Sequence, residues 1–175
     1  MDKYYIYLFG SLLGTYVLLL VTAAVIDITK FVIPNVIVVA LVALFFIAAI
    51  LSPLDTNWIS HIGAAASVFL VGVVAYRFKK LGAGDVKLMT AVSLWMGFEY
   101  LPLLLLYVAL CGGALAFFFV SLRHLALAIA IRWPQSGTTV VPRLLVVGEK
   151  IPYGVAIAIG SVIIGRGVPH LGPYL

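Results

Sequence analysis

A chain of 175 residues that is 65% hydrophobic and only 10% charged lies far from the composition of soluble domains, in which roughly a quarter of residues are charged. Water is therefore excluded as its main solvent. The net charge of +5 does not argue for nucleic acid, because basic residues of a membrane protein collect in its cytoplasmic loops.

Taken in chain order, apolar runs near the length of a bilayer-crossing helix occupy roughly 4–26, 33–52, 58–76, 85–98, 100–120 and 151–165, each set against the twenty or so residues a spanning helix needs. The expected fold is thus all-α and polytopic, with about six transmembrane helices and the fourth and sixth short. The first run is too long for a signal peptide and lacks a basic n-region and a cleavage site, so it reads as a retained span. Nothing is left for a soluble domain, and residues 1–175 read as one membrane-embedded domain. Residues 121–150 form the longest connection. They read as a cytoplasmic interfacial helix around the apolar stretch 125–131, flanked by Arg123 and Arg132, and then a loop. This segment suits either a connector on the membrane or a substrate-docking lid.

If the spans alternate, one face receives Lys30, Arg77, Lys79, Lys80, Lys87, Arg123, Arg132, Arg143 and Lys150, and the other only Lys3 and Arg166. The crowded face is then cytoplasmic and both termini lie outside. Trp58, Trp95 and Tyr100 fall at outer ends of spans, where amphipathic rings settle among lipid headgroups.

Acidic residues number only six. Asp2, Asp55 and Glu99 fall on the outer side, where water hydrates them. Asp27, Asp85 and Glu149 fall at the cytoplasmic edge, and the first two abut long apolar runs. A carboxylate at the centre of a membrane helix costs on the order of 3 kcal/mol, less near the edge, so its presence calls for a reason. Asp27 closes the first span and Asp85 opens the fourth, which brings both to one face. Gly82 and Gly84, just before Asp85, suit a sharp backbone turn and the close approach of another chain. Two carboxylates that share a water do not both ionise easily. The charged one can take a proton from the attacking water while the protonated one polarises the carbonyl. The dyad titrates as a unit, so the two roles are not separable from sequence. Against this stands a structural reading: Asp85 suits a helix N-cap after a Gly-rich turn, and Asp27 suits a local hydrogen bond in the turn toward Pro34 and Asn35.

Three motifs in order, Asp27 with Ile33-Pro34-Asn35, Gly82-Ala83-Gly84-Asp85-Val86-Lys87, and Ile151-Pro152-Tyr153-Gly154 with Gly160, resemble those of the prepilin peptidases, membrane aspartyl proteases that process type IV pilin precursors. The resemblance covers nearly the whole chain. Pro-Tyr-Gly in the last span, where presenilins carry Pro-Ala-Leu, separates it from that other GxGD branch. It implies that Asp27 and Asp85 form the catalytic pair in a prokaryotic cytoplasmic membrane. They would remove the basic leader of a prepilin or pseudopilin at the cytoplasmic face, usually after glycine, without a cofactor. Larger members carry a leading segment with zinc-binding cysteine pairs and N-methylate the new terminus. The present chain, with Cys111 alone, resembles the short, peptidase-only members associated with Flp-type (Tad) pili.

Around the pair, Lys87 lies two positions after Asp85 and off its helix face, which suits snorkelling toward headgroups. Pro34 and Asn35 suit the start of the second helix, with Asn35 also in reach of a substrate. Glu149 suits either a contact with a basic leader or a solvated loop, and Pro152, Tyr153 and Gly154 suit a bend and rim near the pair or simple packing. His61, His124 and His170 are scattered, with no spacing for a metal, and read as interfacial or solvated. Cys111 reads as an apolar filler beside Gly112 and Gly113, which permit close helix packing. The rival class is a small transporter or proton relay, which would place its aspartates near the midplane.

Overall fold

The structure, a computed structural model, describes residues 3–51, 56–132 and 151–165. Within them the chain is all-helical: α1 (Lys3–Lys30), α2 (Asn35–Leu51), α3 (Trp58–Arg77), α4 (Ala83–Arg132) and α5 (Tyr153–Gly165). Three stretches, Tyr7–Lys30, Trp58–Arg77 and Ala83–Ile129, are long and apolar enough to cross a membrane, while α2 and α5 are shorter apolar helices. Large apolar side chains such as Val36, Ile50, Ile59, Val71 and Phe117 stand on the outside. A soluble protein rarely tolerates such a surface, but lipid is its natural solvent.

Each helix ends for a local reason. α1 runs past the expected residue 26 to Lys30 and stops at Phe31, whose left-handed backbone (φ 53°) turns its N–H back onto the Asp27 carbonyl at 2.9 Å. Pro34 then disfavours helix at Ile33 and leads into α2. α3 starts on an Asn57 side chain that accepts the Ser60 N–H at 3.2 Å. It ends in paired bonds, Lys80 N–H to Ala75 O and Lys79 N–H to Tyr76 O, around a left-handed Lys79, the pairing expected where a helix closes on an αL residue.

α4 contains both the fourth and the fifth expected runs, and the boundary between them is Gly97. Its backbone (φ 65°, ψ 179°) occupies a region that is essentially reserved for glycine. The helical bond that Phe98 N–H would give Leu94 O is broken there. Both halves are recovered on α3: Phe98 N–H donates to Ser60 Oγ at 2.9 Å, and His61 Nδ1 lies 2.8 Å from Leu94 O. Beyond the break, Asp85 and Val108 line one cavity, although a straight helix would hold them about 34 Å apart. The chain therefore doubles back at Gly97. Gly160 of α5 packs on Val108 and Tyr153 on Gly112, so α5 runs antiparallel to this returning limb.

The core lies where α4 packs between α3 and α5, closed by α1 and α2. Tyr16, Leu20, Leu41, Leu88, Leu104 and Ile157 are fully buried there. Trp95 is also buried, with its ring 4.5 Å from Tyr16 and its indole N–H on Leu41 O at 3.0 Å. That overturns its expected place among headgroups, because the break at Gly97 turns this end of α4 inward. Trp58, stacked on Phe46, stays partly exposed. His61 likewise is buried at the break and not interfacial, while His124 is exposed and His170 lies outside the described residues. Gly112 receives the Tyr153 ring as expected of a packing glycine, but Gly113 faces open space. Residues 121–132, expected to begin an interfacial helix, continue α4 without a break, and residues 133–150 lie outside the described residues.

Candidate active site

Asp27 sits in the last turn of α1, the end of a helix that disfavours negative charge. A different helix compensates. The carboxylate is buried, 5% exposed, and its Oδ2 accepts the Gly154 N–H at 2.7 Å. Gly154 is in the first turn of α5, where N–H groups have no partner within the helix. A Cβ on residue 154 would stand 2.8 Å from that oxygen, so this approach requires glycine. Pro152 is buried immediately before α5, and Tyr153 begins the helix. The Pro-Tyr-Gly run therefore starts a helix and does not bend one, as proline without an N–H is suited to do.

Asp85 lies at the third position of α4, not at its cap. Its Oδ2 reaches back to accept the Gly82 N–H at 3.2 Å, while Gly82 O accepts from Val86 N–H at 3.1 Å. This is the returning half of a capping box. Neither Gly82 nor Gly84 adopts a left-handed conformation, and the turn between α3 and α4 instead uses a left-handed Lys79. The close approach at Gly84 is made by the protein itself: a Cβ there would meet Ile33 Cβ at 3.2 Å. Gly84 thereby lets the segment after α1 pack against the start of α4.

Both aspartates line one cavity of about 380 Å³, together with Phe31, Pro34, Asn35, Gly82, Gly84, Lys87 and Ile151. Residues distant in sequence thus meet at one end of the helices. Lys87 does not run to headgroups but crosses from α4 to α2, where its Nζ donates to Asn35 Oδ1 at 2.9 Å. Lys30, Lys79 and Lys80 are exposed at the same end. Pro34 and Asn35 do start α2, with Ile37 N–H on Pro34 O at 3.2 Å. Glu149 lies outside the described residues. Among those residues no three His, Cys, Asp or Glu side chains gather to hold a metal.

Two parts of this site escaped the sequence reading. The bond from Gly154 to Asp27 was signalled only by proline and glycine opening an apolar run, which marks a helix start with unpaired N–H groups. The Lys87–Asn35 bridge joins positions 52 apart and had no signal in the sequence.

A sequence profile of the type IV leader peptidase family matches residues 14–117, more than half of the chain and both aspartates. The chain belongs to the type IV leader peptidase family. A curated relative, the prepilin leader peptidase/N-methyltransferase of Bacillus subtilis (strain 168), is 29% identical over 149 residues, which is 85% of this chain and 52% of the relative. The chain thus spans about half the length of that relative. No solved structure gives a significant match. In this family member, the match ends before α5, so the helix that contacts Asp27 lies outside the matched residues.

Proposed function

We propose that this protein is a membrane aspartyl endopeptidase that removes the basic leader of type IV, Flp-like prepilins or pseudopilins at the cytoplasmic face, with Asp27 and Asp85 as its catalytic pair. The observation that carries the reading is the single cavity lined by both carboxylates. It opens at the end of the helices where Lys30, Lys79, Lys80 and Lys87 gather. Such an end faces the cytoplasm by the positive-inside rule. Family membership and the curated relative supply the substrate class. The two halves of α4 count as separate spans in this reading, which gives six in all within one membrane-embedded domain, with both termini outside.

In the proposed reaction a water between the carboxylates attacks the scissile carbonyl. One aspartate accepts the water's proton, and the other, protonated, donates to the carbonyl oxygen; the collapse of the intermediate returns a proton to the leaving amine. Gly154 N–H and Gly82 N–H hold one oxygen of each carboxylate and so orient the pair. Lys87 and Asn35 form one wall, and Pro152 and Tyr153 anchor the helix behind Asp27. The position of both aspartates at one edge, among lysines, weighs against a proton relay through the membrane.

The test is cleavage of a purified prepilin-like precursor by the wild type, Asp27→Asn and Asp85→Asn. Each variant is expected to lose at least about 100-fold in rate, the scale of general acid and base catalysis, while keeping its fold. Normal cleavage by either variant, with the wild type active, would overturn the dyad.

A further inference from the structure

A second cavity, of about 240 Å³, adjoins the aspartate cavity and is different in kind. Val68 and Val71 of α3, Met89 of α4 before the break, and Leu105 and Val108 after it form its walls. Asp85 belongs to both linings. Asp85 therefore stands between a chamber with Asp27, Asn35 and Lys87 on its walls and a chamber whose walls are almost wholly apolar, and it presents almost no polar surface to the second. The second chamber exceeds the roughly 150 Å³ that suffices to hold a benzene ring in an apolar protein cavity.

We propose that this apolar cavity is the subsite for the first large apolar side chain on the membrane-embedded side of the scissile bond. The inference rests on the peptidase reading and adds a specificity determinant to it. A carbonyl held at the two aspartates leaves the substrate chain two directions, one into each chamber. Basic leader residues do not enter the apolar chamber, because no group there offsets the loss of their hydration. An apolar side chain gains by the same transfer. Val71, on the chamber's wall, is exposed on the outer surface, so the chamber is open to the bilayer, where the apolar part of the precursor resides. A lipid acyl chain is the competing occupant.

The experiment compares kcat/KM for precursors identical except at the first residue after the cut, phenylalanine, leucine or alanine. The enzymes are full-length wild type, Val68→Trp, which fills the chamber, and Leu105→Ala, which enlarges it. Wild type is expected to prefer phenylalanine over alanine by about tenfold or more, the discrimination an apolar pocket provides. Val68→Trp is expected to lose that preference, with its kcat/KM for the phenylalanine and alanine precursors equal within about threefold, as loss of binding at one subsite requires. Leu105→Ala is expected to change the ratio between phenylalanine and leucine, and it decides alone if Val68→Trp cuts nothing. Unchanged ratios in Leu105→Ala with normal cleavage overturn the subsite and leave the chamber to lipid, with the peptidase reading intact. Absence of cleavage of every precursor by wild type overturns both.

Discussion

Asp27 shows how much of this site depends on a residue with no side chain. Its carboxylate rests on the backbone of Gly154 at 2.7 Å, and a methyl group at 154 would press on Oδ2 and on Asp27 Cβ and Cγ. Gly154→Ala is therefore expected to displace the carboxylate without removing it. Misplacement of a reacting group by about 1 Å can cost 100-fold in rate, so precursor cleavage should fall by a factor of between about 10 and 100. Thermal unfolding in detergent, measured beside the rate, separates this effect from loss of fold. Gly84 has the same kind of role toward Ile33. Sequence alone ties Gly84 to the close approach of another chain and leaves Gly154 between a bend, a rim and simple packing; in the structure the protein's own Ile33 and Asp27 stand against them. Lys87 was misjudged for a related reason: an argument from one helix face is blind to an acceptor on another helix, and Asn35 supplies one.

At the scale of elements, the apolar runs were legible because a bilayer imposes their length. The join between the fourth and fifth was less so. Gly97 opens the helix, and Ser60 and His61 take up the two polar groups that the break exposes. The bond from Phe98 to Ser60 is solvent-exposed, and an intramolecular hydrogen bond contributes about 0.5–1.5 kcal/mol net. Ser60→Ala should therefore lower unfolding stability by that order, and Gly97→Ala should lower it too, since its φ of 65° strains any residue with a Cβ by about 1–3 kcal/mol. Their double variant is expected to lose less than the sum, because the Ser60 bond already depends on the break. Denaturant titration in mixed micelles checks the three values. Asp85 belongs at this scale as well: its carboxylate closes the first turn of α4 through Gly82, and this structural task coexists with the catalytic one proposed for it.

For the whole molecule, the ends of the helices fall into two sets. Phe31, Lys79, Asp85, Gly112 and Ile151 lie toward the aspartate end, and Asn57, Ser60 and Gly97 toward the other. Past Gly112, α4 continues to Arg132, about 30 Å of further helix, with Phe117, Phe118 and Leu125 exposed. The proposed cytoplasmic placement of the aspartate end predicts a labelling pattern. In a background where Cys111 is replaced by alanine, Asn57→Cys should react with a membrane-impermeant thiol reagent in intact cells. Lys80→Cys should react only after permeabilisation. The reverse pattern would place the proposed site on the outer face.

The sequence by itself determined that the chain is helical, apolar throughout and sparing with acids, because hydrophobic length and charge are additive along a chain and need no partner to be read. It also singled out Asp27 and Asp85, since a carboxylate beside a membrane run is costly wherever the chain goes next. Only the tertiary structure decided what each carboxylate touches. Asp27 is held by a helix more than a hundred residues away, and Asp85 divides a polar cavity from an apolar one. Those relations arise from the reversal at Gly97 and the packing of α5 on the returning limb, and no local pattern of residues encodes a contact that exists only when two distant segments meet.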